Sequence, residues 1–172
     1  MLILDTSVIL NFLGTGRSRF LFSHLPYDVC APSVVIREIT REAELPDGKD
    51  ASLADLIESS LITTIDKSDE AEELALSLAG AISPDDLDDG EAHAIAYTVV
   101  MGATIGIDER KGRRIISQRW PNLPCRFTLD LFEAAAMRSN LPSEEYAEIV
   151  TKWWASDYAK AGSATGQIRM AK

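Results

Sequence analysis

The chain opens on an apolar run, Leu2-Ile3-Leu4, broken by Asp5-Thr6-Ser7 and resumed at Val8. That pattern predicts a short buried strand over 2–4 and a helix from about Val8, with Asp5, Thr6 and Ser7 on hand to cap it. A second strand is expected over 28–31, after which Pro32-Ser33 opens a helix to about Glu42. Pro46, Asp47 and Gly48 mark 45–49 as a loop. Residues 53–57 read as weakly helical, and the β-branched stretch 61–65 as extended. An acidic helix is expected over 68–81, ended by Ser83-Pro84. A stronger helix over 88–100 carries Ala92, Ile95, Ala96 and Val99 at helical spacing. Gly102 ends it, a buried strand follows over 103–107, and 110–119 is helical. A last strand at 125–127 precedes helices over 128–139 and from Pro142-Ser143 to about Tyr158. Residues 159–172 read as a flexible tail.

Short strands alternating with helices predict an α/β fold: a three-layer sandwich whose central, mainly parallel sheet has four to five strands. A single domain over 1–158 accommodates every element, with no internal repeat and no linker. The 172 residues, 46% of them hydrophobic, suffice for one real core. Cys30 and Cys125 sit in apolar, strand-like surroundings without CxxC spacing, as small core residues of a cytoplasmic protein rather than a disulfide. The opening segment is too short, and its Asp too early, for a signal peptide. No apolar run approaches the roughly 18 residues that span a bilayer, so no membrane is expected.

Charge complicates the picture. A net charge of −10 opposes nucleic-acid binding. Yet Arg110, Lys111, Arg113, Arg114 and Arg119 fall together, directly after Asp108. A solvated helix face is the commoner explanation of such a cluster.

The candidate chemistry lies in four acids. In an α/β sheet, the carboxyl ends of strands and the amino ends of the helices that follow share one edge, where ligands bind. Asp5 and Asp108 each follow a strand. Glu91 begins the helix that runs antiparallel to the strand before Asp108, so chain direction returns it to the same edge. Glu38 is four residues from Val34 and three from Val35, and shares their side of the helix. A carboxylate facing apolar surroundings needs a cation or donors to compensate, and an oxygen-only ligand set suits Mg²⁺ or Mn²⁺. Each acid also has a plainer role. Asp5 can cap its helix, Glu91 can reach back to Asp88 in a capping box, Glu38 can pair with Arg37 or Arg41, and Asp108 can begin its own helix.

Three segments resemble PIN-domain nucleases. LILDTSVILNFL is similar to the family's opening strand and Asp-Thr-Ser turn, APSVVIREI to the helix bearing the second acid, and DDGEAHAIAYTVVMGATIGIDERKGRR to the Gly-Glu-Ala helix, strand and fourth acid. The likeness runs over about 2–131. It implies a PIN-like fold and a Mg²⁺- or Mn²⁺-dependent nuclease, with RNA favoured as substrate. Asp5, Glu38, Glu91 and Asp108 are then both catalytic residues and metal ligands. Thr6 and Ser7 would orient Asp5, and Glu109 could add a ligand. Many toxin-type members carry Asp as third acid, which leaves Asp89 as an alternative to Glu91. Arg110, Lys111, Arg113 and Arg114 would contact phosphates. The resemblance also implies a homodimer and an antitoxin partner, although the chain is longer than the compact toxins; the apolar Trp153-Trp154 pair offers a contact surface, and the plainer reading makes it partly core, packed under the last helix. A non-catalytic binding module on the same fold is the competing reading. A phosphatase-type domain ranks low, because Asp5 is followed by Thr6-Ser7 rather than by a DxD pair.

Overall fold

The computed structural model describes residues 1–41, 50–65, 68–80 and 87–156. Five strands, β1 (Leu2–Leu4), β2 (Val29–Pro32), β3 (Thr63–Ile65), β4 (Thr104–Gly106) and β5 (Cys125–Arg126), form one sheet in the order β3-β2-β1-β4-β5. Every neighbouring pair is parallel. From β1 the chain therefore steps outward to β2 and β3, then crosses back to place β4 on the other side of β1. Such a reversal opens a crevice at the carboxyl ends of the two strands that flank it, here β1 and β4.

Helices cover both faces, nine of them among the described residues: α1 (Thr6–Gly14), α2 (Ser18–Ser23), α3 (Ser33–Arg41), α4 (Leu53–Glu58), α5 (Asp69–Ala79), α6 (Asp89–Met101), α7 (Arg110–Arg119), α8 (Thr128–Ser139) and α9 (Ser143–Ala155). Alternation along the strands decides which layer each residue feeds. Leu2, Leu4, Val29 and Ala31 pack with Phe12, Leu21, Leu131, Phe132 and Trp153. Ile3, Cys30, Ile105 and Ile107 pack instead with Ala71, Leu78, Ile95 and Ile115 of α5, α6 and α7. Each fully buried Leu, Ile or Phe contributes about 1.5–3 kcal/mol relative to exposure. Helix α6 is buried almost all round, from Ala92 to Thr98, because α5 covers its outer side. Buried Tyr97 donates to Glu72 of α5 at 3.1 Å, which fastens the two helices. Gly102, at φ +60, closes α6 in a left-handed turn, a conformation that an L side chain resists.

The expected three-layer α/β sandwich is thus present, and its sheet is wholly parallel. The strand at 2–4 and the helices over 110–119 and 128–139 stand where the sequence places them, β2 is shifted by one residue, and β3, β4 and β5 are shorter than expected. Helix α2 has no counterpart among the sequence expectations. The last helix ends at Ala155 rather than near Tyr158. The loop at 45–49, the Ser83-Pro84 stop and the tail at 159–172 lie outside the described residues. Both cysteines are free; Cys30 is on β2 and Cys125 on β5, with β1 and β4 between them. Trp153 is core and packs edge-on against Phe132, while Trp154 is half exposed. Among the described residues no helix is long and apolar enough to cross a membrane.

Candidate active site

Asp5 leaves β1 at the crevice and is 1% exposed. It caps α1: Oδ1 accepts from the Val8 N–H at 2.9 Å, and the Ser7 hydroxyl donates to the carboxylate at 2.9 Å. These donors do not offset burial. Desolvation foremost, then the nearby charges of Asp108 and Glu91, push its carboxyl well above the usual range. Capping and site membership are therefore one geometry.

Asp108 follows β4 across the crevice. Its Oδ1 accepts from the Thr128 N–H at 2.9 Å, and its Oδ2 accepts from the Thr128 hydroxyl and from Asn11 Nδ2 at 2.8 Å. The carboxylate thus rests on the amino end of α8, where unpaired N–H groups and the helix dipole favour negative charge. Neither Asn11 nor Thr128 stands out in the sequence. The available signal was a polar residue inside the apolar run Val8–Leu13, four residues after Ser7 and hence on its face of the helix.

Of the two kinds of compensation that Glu38 calls for, a cation or donors, the fold supplies donors. Its Oε1 accepts from the Gly90 N–H at 2.9 Å, and its Oε2 from the Thr6 hydroxyl. Donors from α6 and α1 provide the compensation, and neither Arg37 nor Arg41 is needed. Thr6 consequently orients Glu38, and Ser7 alone of the two orients Asp5. The approach requires glycine: a Cβ on Gly90 would lie 2.2 Å from Glu38 Oε2 and 2.9 Å from Thr6 Oγ1. The Gly of Gly-Glu-Ala is there to let a carboxylate touch the start of α6.

Glu91, one residue on, is half-buried. It accepts from the Asp88 N–H, the reach-back half of a capping box, while Asp88 itself makes no side-chain cap. Oε1 is buried without a hydrogen-bond partner and faces α7, 3.2 Å from where a Cβ on Gly112 would stand. Burial first, then the charges of Glu109 and Asp88, push the carboxyl up to about 7, against a smaller opposing pull from Lys111. Glu109, at the amino end of α7, is therefore a neighbour of Glu91. Asp89 is exposed, which leaves Glu91 as the inward acid of the pair.

A family model for the PIN domain matches residues 1–154. The chain belongs to the PIN-domain family. Comparison with curated proteins and with solved structures returns no match. The PIN fold is a nuclease-type fold, and here it supplies the crevice at β1 and β4.

Hard oxygen donors suit the Mg²⁺ or Mn²⁺ that PIN nucleases usually use. Two observations fit a cation: the orphaned Glu91 Oε1, and the accumulated desolvated negative charge around Asp5. Among the described residues, however, no three His, Cys, Asp or Glu side chains form a group able to grip a metal ion as they stand. The four expected acids are drawn to one edge without being closed into a coordination shell. Of the basic residues, Lys111 acts on Glu91, and Arg113 has its guanidinium 4.3 Å from the centre of the Phe127 ring.

Proposed function

We propose that this PIN domain is a divalent-metal-dependent phosphodiesterase acting on RNA. The burial of Asp5 and of Glu91 Oε1 in the β1–β4 crevice, the latter without a donor, is the observation that carries the reading. Such an arrangement is costly for the protein alone and is relieved by a cation. Asp5, Glu91 and Asp108 would hold one or two Mg²⁺ or Mn²⁺ ions, with Glu38 as a further acid at the same edge. When bound, these ions supply positive charge at the phosphate and acidify a water.

The chain's own groups do the rest. Asn11 and Thr128 fix the orientation of Asp108, Ser7 and the Val8 N–H fix Asp5, and Thr6 and the Gly90 N–H fix Glu38. Arg110, Lys111 and Arg114 of α7 supply positive charge for phosphates. An antitoxin would meet the same acidic crevice with a basic side chain, and a toxin role depends on finding such a partner. Half-exposed Trp154 is the surface offered for a homodimer.

Incubation of the purified chain with single-stranded RNA and Mn²⁺ should give cleavage that Asp5→Asn lowers to background. Equal residual cleavage by the two proteins would mark a contaminant and sink the proposal. The second reading, a non-catalytic nucleic-acid- or protein-binding module, is favoured by the open arrangement of the four acids, and the charge of −10 favours its protein-binding form. Calorimetric titration with Mn²⁺ separates the two, because absence of binding leaves only the non-catalytic role.

A further inference from the structure

We propose that Phe127 and Arg113 form a stacking platform for one base of a single-stranded nucleic acid, beside the carboxylates; the proposal rests on the nuclease reading above. Phe127 stands between β5 and α8, one residue before the Thr128 that holds Asp108 through both its N–H and its hydroxyl. Its backbone is fixed, since its N–H donates to Asp130 Oδ2 at 3.0 Å. The residue nevertheless stays 42% exposed.

An exposed aromatic is unremarkable by itself. Among the described residues, the other large exposed apolar side chains are at Met1, on α5 (Leu76), and toward the carboxyl ends of α6, α8 and α9 (Met101, Met137, Trp154). Phe127 differs in lying at the carboxyl edge of the sheet, in the residue next to a group that fixes a site acid. Arg113 adds the second element. Its Nε donates to the Glu109 carbonyl at 3.4 Å, and its guanidinium lies over the Phe127 ring. A planar cation on a ring with open surface to spare is what nucleobases stack on, and each stacked base is sensitive to loss of the aromatic. Arg126 immediately precedes the ring, so phosphate-compatible charge flanks it on the chain. Base faces are hidden inside a duplex and available in a single strand. That selects an unpaired strand as the occupant, and stacking is indifferent to the sugar, so RNA and DNA share the contact.

The test uses the full chain, with Ca²⁺ added in place of Mg²⁺ to slow cleavage, and short RNA and DNA strands carrying 2-aminopurine. Wild type should quench the fluorescence of the stacked base. Phe127→Ala should bind either strand about 5- to 150-fold more weakly and lose the quenching, and Phe127→Trp should restore both. On a strand with abasic positions in place of bases, Phe127→Ala and wild type should bind alike. Phe127→Leu keeps apolar bulk without a π face, and should fail as Ala does while melting like wild type. The platform is overturned if Phe127→Ala or Phe127→Leu binds as wild type does, or if Ala loses as much on the abasic strand. RNA cleavage that the Phe127 substitutions leave unchanged removes the platform and leaves the nuclease reading standing; a wild type that binds neither strand removes both.

Discussion

The four acids of the crevice fall into two pairs that the protein treats in opposite ways. Glu38 and Asp108 are met by donors on both carboxylate oxygens: Gly90 and Thr6 for one, Thr128 and Asn11 for the other. Asp5 and Glu91 are the strained pair. Asp5 has donors but is so deeply buried that its carboxyl is pushed well up, and Glu91 keeps a buried oxygen with no partner. Donors built into a fold fix a carboxylate's position and meet its need for compensation, whereas an under-compensated carboxylate retains the capacity to attract a cation or a proton. On the proposed reading, the fold itself positions the first pair, with Asp108 as a pre-oriented metal ligand, and the second pair depends on a cation or a proton for its compensation.

The sharpest way to break this contrast is the pH dependence of stability without metal. Glu91 moves from its usual 4.5 to about 7, so between those values the folded chain keeps a proton that the unfolded chain has released. Stability therefore falls as pH rises from about 4.5 to 7, by about 2 kcal/mol after allowance for partial solvent contact. Asp5, raised in the same direction, adds to the slope with the same sign. Glu91→Gln should flatten its share of the profile in urea melts taken from pH 5 to 8. An unchanged slope in that variant would show that Glu91 is well compensated after all, and would merge the two pairs into one.

Gly90→Ala probes the pair that the fold positions, and its sign is informative. In an exposed helix this change stabilises by about 0.5–1 kcal/mol. Here the added methyl displaces the Glu38 carboxylate from the Gly90 N–H and from Thr6. A net loss of about 1.5 kcal/mol in thermal or urea melts is expected. A gain in stability would mean that the Glu38 contacts are worth little and that Glu38 is free for other work.

What could be read ahead of the structure follows the same division. Asp5 and Asp108 were legible because each sits where a local apolar run stops, and Glu91 because chain direction alone returns its helix to that edge. Helix α6 was legible from the spacing of Ala92, Ile95, Ala96 and Val99 and from the Gly102 stop, all within about a dozen residues. The donors were not. Glu38 is satisfied by residues 32 and 52 positions away, and Asn11 meets Asp108 across 97. No periodicity encodes a pairing at that separation, so the inward face of Glu38 was visible while its compensation was not. The six-residue α2 escaped for another reason: Arg17-Ser18-Arg19 ahead of Phe20 and Phe22 has too few residues to show a helical period.

The smallest effect belongs to the best-satisfied acid. Thr128→Val keeps the shape and the backbone N–H that reaches Asp108 Oδ1, and removes only the hydroxyl at Oδ2. Asn11 Nδ2 still reaches that oxygen at 2.8 Å, so no carboxylate oxygen is orphaned. The cost should be about 1 kcal/mol, a typical net hydrogen bond. Losing the hydroxyl loosens the orientation of Asp108, so Mn²⁺ affinity by calorimetry should fall about 10-fold, the low end for a residue that orients a ligand. A stability loss with unchanged Mn²⁺ affinity would place Asp108 in the frame of the crevice alone. A fall in affinity matching that of Asp5→Asn would instead move Asp108 in with the pair that depends on a cation, and the division would then run between Glu38 and the other three acids.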